Sequence, residues 1–164
     1  MYNLWPRHNI YGFYNNFTFS LPGLYKGHIW SMMTCHFSHL SFFSYALDSV
    51  ILFLFCQNLG QMYGNLFVGK TVLLSMLIGS LFLFVHHTTM GGQARPYCGN
   101  DSILRGLIFS LIFFNPSANL MLFPLPVNIP AWAIASLLLF LDFLSFNTAG
   151  FGGVSAAYLM TNVL

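Results

Sequence analysis

Charge is what this chain most conspicuously lacks. Of 164 residues, five are Lys or Arg, three are Asp and none is Glu, so only 5% are charged, against about 25% in an ordinary soluble domain. So few charges, with 57% hydrophobic residues and a mean hydropathy of +0.70, cannot cover a globule in water and imply one compact integral membrane domain. The five basic residues are dispersed and the net charge is only +2, so no basic patch exists to attract nucleic acid. Cysteine is equally sparse. Cys35, Cys56 and Cys98 form no CxxC pair and no even framework, which excludes a zinc-ribbon site and a disulfide-built secreted fold and leaves them as packing residues. Residues 1–28, "MYNLWPRHNIYGFYNNFTFSLPGLYKGH", have neither the continuous apolar core of a signal peptide nor the Arg/Ser-rich pattern of a transit peptide.

What is present is apolar sequence in membrane-length pieces. About 20 apolar residues span a bilayer, and five segments are expected: Leu40 to Leu59, Thr71 to Val85, Ile103 to Phe114, Ile129 to Phe146, and the small-residue-rich Ala149 to Leu164. The last is a poor lone span, and its glycines and alanines predict burial between other helices. Connections are punctuated by Gly and Pro, as in "YGNLFVGK" and "NPSANLMLFPLPVNIP". Arg7, Lys26 and Arg95 fall on one face and Lys70 on the other, which places the N-terminal face inside by the positive-inside rule. Trp5, Trp30 and Trp132 read as interfacial anchors.

The charges inside spans are Asp48, Asp101, Arg105 and Asp142. Each costs about 2.5 to 3.5 kcal/mol near the bilayer centre, so they are expected to face the bundle interior and find partners. Asp101 and Arg105 stand at i and i+4, the spacing at which acid and base meet on one helix face. Asn100 or Asp101 is placed to cap the same helix. The expectation is a structural polar cluster of Asp48, Asp101 and Arg105, with Asp48 competing for the arginine. Gly60 and Gly64 form a GxxxG; with Gly152, Gly153 and Ala157 they are expected to be close-packing positions. His36, His39, His86 and His87 have no carboxylate or thiol at ligand spacing, so no metal site is expected.

The order "TCHFSHLSFFSYALD", "LGQMYG", "GNDSILRGL", "AGFGGVSAAYL" resembles the rhomboid intramembrane protease family over roughly residues 29 to 162. Phe37, Ser38 and His39 match the opening of the family's first motif, and Gly60 and Gly64 its end. The resemblance implies an all-α rhomboid-like bundle of about five transmembrane helices over 29–164. The usual first helix is missing, because residues 1–28 are too polar and too interrupted to supply it and read as an interfacial arm.

The resemblance also locates a degenerate active site. Where the family has a His and an Asn in the first motif, this chain has Ser44 and Asp48. In the Gly-x-Ser-Gly motif, Gly99 and Gly106 hold the frame while Asp101 stands at the nucleophilic serine. Gly150 stands at the histidine of the Ala-His-x-Gly-Gly motif. A serine nucleophile needs a base to take its proton, and an ionised Asp48 would repel a developing oxyanion. The implied protein is therefore not an enzyme. The expected role is a non-catalytic accessory subunit of a large inner mitochondrial membrane complex, of the respiratory chain or ATP synthase. Its partners would be other membrane subunits and lipids, with no nucleic acid and no cofactor beyond a structural lipid such as cardiolipin. The alternatives are a derlin-like or mitochondrial protein translocase component and, last, an intramembrane serine protease with Ser102 as a displaced nucleophile.

Overall fold

A computed structural model describes residues 10–90, 95–116, 119–121 and 128–163. Trp5 and Arg7 lie outside these residues. The described part of the arm folds into two short helices, α1 (Ile10–Phe17) and α2 (Leu21–Tyr25), followed by α3 (Ser31–Thr34) and a 3-10 turn at Cys35–Phe37. Ser20 starts α2 by accepting from Gly23 N at 3.3 Å. The arm is packed in place: Phe13 and Phe19 are fully buried, and Phe19 exchanges backbone hydrogen bonds with Tyr97 at 2.8 and 3.0 Å.

Five longer helices make the bundle: α4 (Phe42–Tyr63), α5 (Asn65–Thr89), α6 (Asp101–Phe114), α7 (Ala131–Leu144) and α8 (Thr148–Val163). Each falls on one of the five expected spans. Two of them, α4 and α5, are long and apolar enough to cross a membrane. Between α6 and α7 the expected loop contains a short antiparallel pair, β1 (Asn119–Met121) with β2 (Asn128–Pro130), in register Asn119 to Pro130. The pair is a loop feature of an all-helical bundle, and it moves the start of the fourth span from Ile129 to Ala131. Pro130, with φ −62° and ψ 139°, ends the strand and begins the helix.

The second correction concerns the GxxxG. Gly64 has φ +88°, a left-handed conformation that L side chains rarely adopt, and it breaks the chain between α4 and α5. Gly60 faces Asn65 of the next helix, where an added Cβ would lie 2.8 Å from Oδ1. Gly64 therefore builds a turn, while Gly60 is a close contact between α4 and the start of α5.

Burial sorts the helices. Ten residues of the 14-residue α6 are buried, so it is the central rod, wrapped chiefly by α5 and α8. Leu59, Phe67, Met76, Ile103, Leu107 and Leu111 form one core cluster; Phe109 and Ile112 meet Ala131 and Ala157 in another. At 1.5 Å per residue α6 is about 21 Å long, shorter than the roughly 30 Å hydrocarbon layer.

Candidate functional site

The site is built where α6, α7 and α8 converge. Arg105 on α6 donates from Nε to Asp142 Oδ2 at 2.7 Å and from Nη2 to Asp142 Oδ1 at 3.0 Å. The fork engages both carboxylate oxygens, the geometry guanidinium is shaped for. The Asp142 side chain is 2% exposed and that of Arg105 15%. Asn147 Nδ2 also donates to Asp142 Oδ1 at 3.3 Å, while its own Oδ1 accepts from Gly150 N at 3.2 Å and so caps α8.

This arrangement fills the position opposite Gly150. A Cβ at Gly150 would lie 2.6 Å from Asp142 Oδ2, 2.8 Å from Cγ and 3.1 Å from Oδ1. No side chain fits there while the carboxylate stays where Arg105 holds it. An imidazole at 150 and the Arg105–Asp142 pair compete for one volume.

Asp48, Asp101 and Arg105 lie near enough to act on one another's charge, as expected, but they make no ion pair among themselves. Asp48 accepts from His39 Nε2 at 3.0 Å, and Asp101 accepts from the Tyr97 hydroxyl at 3.2 Å. Asp101 is the first residue of α6, and neither it nor Asn100 makes a side-chain cap. Its carboxylate still favours the positive end of the helix dipole. The physical reason for the correction is burial: Asp142 is enclosed and cannot remain unpaired, whereas Asp101 sits at the cavity mouth. The i, i+4 spacing predicted a local partner, and a tertiary one won. Ser44 is exposed on α4.

Beneath Asp101 the three core helices meet almost backbone to backbone. Ser102 is fully buried and its hydroxyl donates to the Ser75 carbonyl of α5. A Cβ at Gly79 would strike the Ser102 side chain, one at Gly106 would strike Ser75, and one at Gly153 would strike the Ser102 carbonyl. A Cβ at Gly152 would lie 2.5 Å from Gly79 Cα. Gly152 and Gly153 are thus contact points of α8 with α5 and α6, and Ala157 is fully buried further along.

Sequence reasoning missed three contributors. Gly79 and Ser75 carried no motif, and Asp142 was seen as a charge in a span without being matched to Arg105. A lone carboxylate 12 residues into an apolar helix was the available signal. The loop before α4 adds a buried polar contact: Ser80 donates to the Met32 carbonyl at 2.6 Å, so its oxygen accepts from His36 Nε2 at 3.0 Å. Burial lowers the His36 pKa to about 4 and keeps the ring neutral. Tyr97 is raised well above its ordinary value, first by burial and then by the Asp101 charge.

A cavity of about 460 Å³ opens above Asp101, with His86, Arg95, Tyr97, Phe146 and Thr148 among its walls. Among the described residues no group of three or more His, Cys, Asp or Glu converges.

Comparison with known proteins bears on this geometry. A family model described as the Rhomboid domain matches residues 26–164. The chain is also similar to the RHOMBOID-like protein 12, mitochondrial, of Arabidopsis thaliana, with 28% identity over 155 residues. That alignment covers 86% of this chain and 46% of the relative, so the chain spans about half the length of the curated protein it matches. No solved structure matches.

Proposed function

The chain belongs to the rhomboid family, and from that premise we propose that it is a non-catalytic member serving as an accessory subunit of a large complex in the mitochondrial inner membrane. The observation that carries the non-catalytic reading is the Arg105–Asp142 pair, which takes up the space beside Gly150 where the family's motif has its histidine. Asp101 stands at the serine position and offers a carboxylate where the family's motif has a hydroxyl. Ser102 is locked under Gly79 with its proton given to a backbone carbonyl, so it is no substitute nucleophile.

The subunit role draws on the exposed apolar flanks of α4 and α7. Only Leu59 of α4 is buried, and Phe53 and Phe143 are 65% and 66% exposed. Such faces need lipid or protein neighbours. The mitochondrial assignment draws on the similar Arabidopsis protein, which is named as mitochondrial.

The test is mild-detergent isolation of the tagged full chain from mitochondria, followed by native mass spectrometry and a cleavage assay on a membrane-embedded substrate. A stoichiometric association with a stable enzyme complex, without cleavage, is expected. Cleavage would end the non-catalytic reading; a monomer that crosslinks only to transiting client chains would end the subunit reading in favour of a translocase.

A further inference from the structure

Two residues of opposite charge, Arg95 and Asp101, line the cavity. Arg95 stands exposed on one wall and Asp101 on another, and among the described residues neither has an ion-pair partner. Both line the end of the bundle where α5 finishes and α6 and α8 begin. A second, almost wholly apolar groove of about 340 Å³ runs beside it along α5, lined by Leu81, Phe82 and Val85. The two spaces share His86 and Thr148, so polar cavity and apolar groove are neighbours.

We propose that this composite site holds one phospholipid with a zwitterionic headgroup carrying a primary ammonium, its phosphate toward Arg95, its ammonium toward Asp101 and an acyl chain in the α5 groove. The assignment rests on charge complementarity. A guanidinium pairs with phosphate through fork-shaped hydrogen bonds. A carboxylate that already accepts from Tyr97 has lone pairs left for an ammonium, which brings three N–H donors. A quaternary choline headgroup offers none, and a wholly anionic headgroup such as cardiolipin is repelled by Asp101. The cavity volume falls in the range of small-ligand sites. The proposal stands whether or not the chain is a subunit of a larger complex.

The test uses the full chain reconstituted with equal amounts of phosphatidylethanolamine, phosphatidylcholine and cardiolipin, then delipidated stepwise and weighed by native mass spectrometry. Phosphatidylethanolamine is expected to be retained about tenfold over phosphatidylcholine, a difference of about 1.4 kcal/mol. Asp101→Asn should abolish that discrimination, while Arg95→Gln should weaken both lipids together because both carry the phosphate. Arg95 is exposed, so its substitution gives a readable result even if Asp101→Asn does not fold. Equal retention of the two zwitterionic lipids, preference for cardiolipin, indifference to Arg95→Gln, or a copurifying peptide in place of lipid would each overturn the assignment.

Discussion

Two halves of this bundle are held by different physics. The α5–α6–α8 core is a lattice of small residues in which Gly79, Gly106, Gly152 and Gly153 let backbones touch and the buried Ser102 bonds to a carbonyl of α5. In lipid, where burial of apolar surface gives no advantage over contact with acyl chains, this close packing is what holds helices together. The outer helices differ. α7 buries Ala131 and Ile134 at its start, while near its other end the buried residue is Asp142, held by Arg105. The core is fixed by many close backbone contacts and the end of α7 chiefly by one buried ion pair, so one substitution there should act on α7 more than on the core.

The largest expected effect follows from that contrast. Arg105→Leu leaves Asp142 buried and unpaired and should cost about 3 to 5 kcal/mol, read as a fall in thermal stability in detergent. A wild-type melting curve would show that α7 is held by something else. Acid is next. His36 is kept neutral with a folded pKa of about 4 against 6.5 unfolded, so the unfolded chain binds the extra proton first. Stability should therefore fall as pH drops from 6.5 to 4, by about 3 kcal/mol in total, and level off below. His36→Gln should flatten that pH dependence.

Within the core, Gly153→Ala should cost about 1 to 3 kcal/mol by overpacking, because its new methyl meets the Ser102 carbonyl. Ala introduced at Gly69 of α5, where an added Cβ has open space, should be neutral or mildly stabilising, and that difference in melting temperature sharpens the contrast between packed and lipid-facing helix surface. A small effect is also expected at the α7–α8 turn. Phe146 has φ +51° and is 71% exposed, in the position after a helix that glycine usually takes. Phe146→Gly should stabilise by about 1 kcal/mol by relieving that conformation.

Much of the architecture was legible because hydrophobic run length and Gly/Pro punctuation are local signals. All five helices lie on the expected segments, and the poor apolarity of "TAGFGGVSAAYL" correctly marked α8 as buried. The polar pairing was not legible. Asp101–Arg105 and Arg105–Asp142 are equally good on charge, and only the burial of Asp142, set by how α7 meets α6, decides between them. The role of Gly64 was hidden for a similar reason: a glycine looks the same in sequence whether it packs a helix or ends one. Nor could spacing show that Gly79, 27 residues before Gly106, would share a contact plane with it.

The account turns on the Arg105–Asp142 pair standing in the space of a lost base. A double-mutant cycle of Arg105→Leu, Asp142→Leu and both together, followed by thermal unfolding in detergent, tests it most directly. The pair predicts strong destabilisation by each single change, near wild-type stability for the double variant, and a coupling of about 2 kcal/mol or more. Additive effects, with no coupling, would contradict it.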